Sequence, residues 1–192
     1  MASFANLSFC DVFTTRHGAK IASIRDGDGD LVFQPDEYFR VPFEPSVFGE
    51  TESERRNLVI ETQRELLEEF ARLDETRIGY IAEHSERLFK KRLTVDQVRA
   101  AYSSCVRHSE KDYPATLKTK VDVGAGKYAV VCWDEDGKQV QTPESWRQFL
   151  IRPRLHVTHF WMMGSAFGPV VRMTDAMLRP NGAVAERKFP FS

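Results

Sequence analysis

Sequence with the patterning of β-strands lies at both ends of the chain, and one helical block separates them. A sheet wants its strands in one layer or barrel, so the two β-patterned parts must meet around the helices. The helices then become an insertion between the third and fourth strands. The expected class is α+β: an antiparallel barrel-like sheet with a helical insertion over residues 58–110. Residues 1–180 read as a single domain and 181–192 as an irregular tail, with no internal repeat and no good place to cut the chain.

Residues 7–15 are apolar, β-branched and aromatic and end at Arg16-His17-Gly18. Residues 20–25 alternate, and Asp26-Gly27-Asp28-Gly29 is a tight turn before Leu31-Val32-Phe33, which gives a three-stranded meander. Pro35, Pro42 and Pro45 confine residues 38–48 to an edge strand or an extended loop. Leu58, Leu66, Leu67, Phe70 and Leu73 then recur at helical spacing with carboxylates opposite them. Ile78, Ile81, Leu88 and Phe89 carry the pattern to Lys90-Lys91-Arg92, cations suited to a helix C-terminus. Thr94, with Gln97 placed for a capping box, opens a third helix that buries Val95, Val98, Tyr102 and Val106 and ends before Pro114.

Strands return at residues 115–123, with Lys118 and Lys120 on one face and Leu117, Thr119 and Val121 on the other. Residues 128–133 and 138–141 flank the hairpin signal Asp134-Glu135-Asp136-Gly137. A long aromatic strand over 154–163 turns at 164–168 and returns antiparallel over 170–178.

The chain of 192 residues has three cysteines, Cys10, Cys105 and Cys132, too far apart for a disulfide framework or a zinc ribbon. They read as small buried thiols in a reducing compartment. No apolar run approaches the roughly 20 residues that span a bilayer, and residues 1–13 lack the features of a signal peptide. An intracellular, non-secreted protein without a membrane partner is expected.

The net charge of −1 argues against a basic coat for duplex DNA. Charge is unevenly placed, however: residues 44–75 are acid-rich, and residues 111–188 hold Lys118, Lys120, Lys127, Arg147, Arg152, Arg154, Arg172 and Arg179. Ionic attraction decays over about 8 Å at physiological salt, so a neutral protein can carry a basic groove.

Several motifs resemble sites without meeting their chemistry. Asp26-Gly27-Asp28-Gly29-Asp30 has Leu31 where a calcium loop needs glycine, and strands where it needs helices. His156 and His159, three apart on a strand, point to opposite faces and cannot share a metal. Gly124-Ala125-Gly126-Lys127 lacks the spacing and the following hydroxyl of a phosphate loop. Neither a nucleophile elbow nor a local triad is present. No catalytic residue, metal or cofactor is expected, and the chain is not read as an enzyme.

What remains is a mixture of rings and cations in the C-terminal half. Tyr113, Tyr128, Trp133, Trp146, Phe160, Trp161 and Phe167 are interleaved with the cations above. Bases stack on aromatic rings while lysine and arginine follow phosphates. Rings on strands are commonly core, and Trp133 beside a hairpin tip and Trp146 in a loop are the ones expected to be exposed.

In block order the chain resembles the single-stranded DNA-binding proteins of tailed phages and their counterparts in large DNA viruses. The resemblance is carried by Leu7-Ser8-Phe9 through Ile24, Leu31-Val32-Phe33-Gln34-Pro35, Val41-Pro42-Phe43, the helical block, and Tyr113-Pro114-Ala115-Thr116-Leu117-Lys118-Thr119-Lys120. Ile151-Arg152-Pro153 and the stretch from Phe160-Trp161 to Phe167-Gly168 complete it. It implies an OB-type barrel, no cofactor, and non-sequence-specific binding of unpaired DNA in viral replication or recombination. Carried over by position, Lys118, Lys120, Arg152 and Arg154 would face the ligand, with Trp133 and Trp161 as stacking platforms. Lys127 and Arg172, from the basic stretch, complete the candidate set.

The phage proteins end in an acidic tail closed by an aromatic residue. Here Glu186-Arg187-Lys188-Phe189-Pro190-Phe191-Ser192 is aromatic but not acidic, so recruitment of partners by the tail is not implied. Single-stranded DNA is the expected partner, and RNA, a homodimer and replication proteins stay open. The alternatives are a virion structural or packaging protein that keeps the fold without the groove, and an enzyme whose site is assembled from distant residues.

Overall fold

Two antiparallel strands of 15 residues each, Phe149–Met163 and Ala166–Pro180, organise the sheet of this computed structural model. The structure describes residues 7–10, 12–15, 18, 20–27, 29–47, 54–109, 113–163 and 166–182. In chain order the strands before the helices are β1 (Leu7–Phe9), β2 (Phe13–Thr14), β3 (Lys20–Asp26), β4 (Gly29–Phe33), β5 (Phe39–Arg40) and β6 (Arg55–Glu61). Helices α1 (Arg64–Glu83), α2 (Ser85–Phe89) and α3 (Val95–Ala101) follow. Then come β7 (Val106–Arg107), β8 (Thr116–Asp122), β9 (Val131–Trp133), β10 (Gln139–Val140) and the long pair, β11 and β12.

The long pair buries one face. Ile151, Leu155, Val157, Phe160 and Met162 of β11 point inward with Val171, Met173, Ala176 and Leu178 of β12. The other edge of β11 pairs in succession with β3, β4 and β5. The other edge of β12 meets β8 at Lys120 and β9 at Val131, Cys132 and Trp133, both in parallel. β8 pairs along its length with β6, and briefly with β7. The α+β class expected from the sequence holds, but the sheet is mixed and not antiparallel throughout, because β12 meets β8 and β9 in parallel. Among the described residues the path of pairings runs β1-β3-β4-β11-β12-β8-β6 and ends at β1 and β6 without closing into a cylinder.

α1 lays Leu66, Phe70, Leu73, Ile78 and Ile81 into the core, and the Phe70 ring stacks on Phe33 at 4.9 Å between centroids. The Thr94–Gln97 capping box that opens α3 is present with both of its hydrogen bonds.

The structure corrects several readings. The helical block begins at Arg64, not at residue 58: residues 55–61 are β6, whose Leu58 and Ile60 point inward by strand alternation. Leu58 shares helical phase with Leu66 only by coincidence. The third helix stops at Ala101, because Ser103 turns its N–H to the Phe167 carbonyl (2.8 Å) and the chain joins the sheet. Val95, the first residue of α3, is exposed, and Val106 lies in β7. The strand expected over 7–15 is two short pieces, both paired with β3. Trp146, expected to be exposed, is 1% exposed, in a short 3-10 turn whose Trp146 N–H and Ser145 hydroxyl donate to the Glu44 carboxylate at 2.8 and 2.6 Å. The expected turn at Arg16-His17 and the C-terminal tail from residue 183 on lie outside the described residues.

A polar cluster ties α1 to the segment after α3. The fully buried Arg77 donates through Nη1 to Asp74 Oδ1 and to the Tyr102 hydroxyl, both at 3.2 Å. Tyr102 and Ser104 in turn donate to Asp74, each at 2.6 Å. Among the described residues Arg77 Nε and Nη2 meet no acceptor, so the guanidinium depends on Asp74 for its balancing charge. Asp74→Ala should lower the unfolding free energy by about 3–5 kcal/mol in a urea titration, because it leaves a buried charge uncompensated. Adding Arg77→Met should recover part of that loss; a double variant no better than the single one would show that the pair does not act as a unit.

Candidate nucleic-acid interface

Strand alternation builds one outward surface. β8 buries Leu117, Thr119 and Val121 and turns Lys118, Lys120 and Asp122 the other way. On β12 Arg172 stands opposite Lys120 across the parallel contact. On β11 the outward residues are Arg152, Arg154 and His156, and, beyond a bulge between Val157 and His159, His159 and Trp161. The bulge inserts Thr158 and resets the phase, so His156 and His159 share a face instead of pointing apart as expected. Among the described residues no group of three potential metal ligands gathers.

Two adjoining clefts open on this surface, with Lys120 lining both. One, of about 360 Å³, is bounded by Arg107, Lys118, Trp161 and Val170. The other, of about 240 Å³, is bounded by Arg55, Tyr128, His159 and Arg172. Together they gather Arg55, Arg107, Lys118, Lys120 and Arg172, and Asp122 is the one carboxylate among the described residues lining them. Tyr128 is 59% exposed, with the Arg172 guanidinium 4.8 Å and the Lys127 ammonium 5.7 Å from its ring centre, so cations lie over the ring.

The charges press on one another. Partial burial, then Lys118 and Arg55, lowers the pKa of Lys120, whose ammonium donates to Asn57 Oδ1. Partial burial and then Arg172 lowers that of Arg55, against the opposing pull of Asp122. Burial, with a smaller contribution from Arg55, pushes the His159 imidazole down to about 4, so the ring is neutral near pH 7. A bound anion would relieve this crowding, and the walls of the cleft would strengthen its attraction.

The candidate residues divide into two groups. Lys118, Lys120, Trp161 and Arg172 line these clefts, and Lys127 flanks them through Tyr128. Trp133, Arg152 and Arg154 line a separate cleft of about 300 Å³ farther along the outward face of β11 and β12. There the cations are balanced. Arg152 pairs with Asp36, Arg154 lies 3.6 Å from Asp175, and the half-buried Trp133 donates its indole N–H to Asp175 at 3.2 Å. From Trp161 to Arg152 the strand covers roughly 30 Å.

Sequence reasoning missed Arg55, Arg107, Tyr128 and His159 as parts of the site. Arg55 sits in the acid-rich stretch and Arg107 in a segment read as helix, so nothing local marked them. For His159 only the bulge, which the sequence does not announce, reverses the expected facing.

No family model matches the sequence, and no curated protein matches it. Among solved structures, the chain is similar to the single-stranded DNA-binding protein from bacteriophage Enc34 in complex with ssDNA. The TM-score is 0.48 at 5% identity, covering 100% of this chain and 97% of that one. A second structure of the Enc34 protein gives 0.46 at 6% identity, over 96% and 93%. Gp2.5, a single-stranded DNA binding protein encoded by bacteriophage T7, gives 0.43 at 14% identity, over 83% and 96%. These likenesses concern chain path, and none assigns a role to a residue here.

The His159 shift has a consequence for stability. Its folded pKa, about 4, lies below the ordinary imidazole value of 6.5, so between these values the unfolded chain binds the extra proton. Stability should be whole above that window and decline as pH falls through it. Thermal melts across the window should show a shallower decline for His159→Gln; identical slopes would mean that the imidazole is not held neutral by its surroundings.

Proposed function

We propose that this chain binds single-stranded DNA without sequence preference, along the outward face of β8, β11 and β12. The observation that carries this reading is the convergence of Arg55, Arg107, Lys118, Lys120 and Arg172 around the rings of Trp161 and Tyr128 in two adjoining clefts. The cations follow phosphates and the rings stack on base faces, a combination that tolerates any sequence. Lys127 lies over the Tyr128 ring and adds a cation beside the second cleft. Trp133, Arg152 and Arg154 extend the path, more weakly because Asp36 and Asp175 compete with phosphate for the arginines. The single backbone bridge from Ser46 to Asn57 supports the finer reading of the sheet as the wall of an OB-type barrel. A sequence-indifferent binder of this kind suits replication or recombination, where unpaired strands are exposed.

Oligo-dT should quench the fluorescence of Trp161 in a Trp133→Phe background, and less so as salt rises. Arg107→Ala combined with Lys118→Ala should weaken binding and reduce the slope of log affinity against log salt by roughly 1.4, with little change in melting temperature. Unchanged emission at low salt, without a mobility shift, would sink the reading and favour a virion structural or packaging role.

A further inference from the structure

Beyond the Trp161 end of the groove lies a pocket of about 540 Å³, within the range of roughly 300–1,000 Å³ typical of ligand sites. It sits between the end of the β11–β12 ribbon and helices α2 and α3. Phe89, Leu93, Met162 and Phe167 give it an apolar lining, and the Phe89 and Phe167 rings lie 5.7 Å apart, tilted by 37°. Lys20 and Lys91 also line it, and the described lining residues include no carboxylate. Met163, 67% exposed, lines both this pocket and the Trp161 cleft, so the two share a wall.

The Phe89 and Phe167 rings, the two lysines and the absence of carboxylates among the described lining residues together select a ligand with one flat apolar part and one anionic part. A nucleotide has both, and the shared wall places the pocket on the path of a strand lying in the groove. An exposed methionine at the junction suits such a passage, since its flexible thioether adapts to flat rings. Resting on the single-stranded DNA reading above, we propose that the nucleotide at one end of the bound strand leaves the groove here. Its base enters the pocket against Phe89 and Phe167, and Lys20 and Lys91 hold its phosphate. The pocket gives the complex a polarity, because the two ends of the groove differ.

The test uses the full chain and the shortest oligo-dT that reaches full affinity, with an abasic nucleotide placed at one terminus or the other. Loss of the base at the terminus that reaches the pocket should weaken binding by about 5- to 100-fold, and loss at the other terminus far less. Lys20→Glu with Lys91→Glu, both on the surface, should weaken binding of the intact oligonucleotide and erase the difference between its ends. Tight binding with equivalent ends overturns the pocket and leaves the groove standing. If such an oligonucleotide also fails to displace anilinonaphthalene sulfonate from the pocket, the site belongs to an apolar peptide segment, which overturns the proposal equally. Failure of every oligonucleotide to bind overturns the groove and the pocket together.

Discussion

The pairing of β11 with β12 is the constraint from which the rest follows. Two strands of this length, joined across nearly every residue, need cover on both outer edges. The N-terminal strands supply it for β11 and the strands after the helices supply it for β12. Inward side chains fix the register, because a slip by one residue would turn Leu155, Val157 and Phe160 to solvent. With the register fixed, the outward positions are fixed too, and Arg172 falls opposite Lys120. The bulges refine this scheme: the one at Thr158 keeps His159 and Trp161 on the outer face.

The electrostatics of that face belong to the assembled sheet and to no single segment. Arg55, Lys120 and Arg172 come from three strands far apart in sequence, and Arg55 and Lys120 are each disfavoured by neighbouring cations as well as by partial burial. Stability alone would not collect like charges at this cost. The second cleft shows the contrasting arrangement, with each arginine set against an aspartate. The contrast separates a surface suited to an anion from one already neutralised by the protein.

Much of this was legible in the sequence, for identifiable reasons. Alternation between residues 115 and 123 gave the facing of Lys118 and Lys120, because inward and outward residues on a strand differ in polarity. The Thr94–Gln97 cap was legible because it is local. Trp146 was misplaced because its segment is anchored by Glu44, about a hundred residues earlier in the chain, and its ring joins a core built from distant strands. The β6 segment was read as helix because its inward residues continue the apolar spacing of α1, and only pairing with β8 resolves the ambiguity. Arg107 could not be found without knowing that the chain turns out of α3 at Ser103. Local chemistry is written in neighbouring residues; convergence is written in strand pairing.

Gly168 carries a further consequence. It stands opposite Trp161 on the ribbon, and a side chain there would run into the Ser103 carbonyl oxygen, 2.3 Å from where its Cβ would lie. The polypeptide emerging from the helices therefore rests directly on ribbon backbone, with no cushioning side chain between them. Ser103 and Ser104, which follow α3, line the same cleft as Trp161. One wall of the cleft is thus seated on the ribbon through backbone alone, at the point where the helical insertion rejoins the sheet.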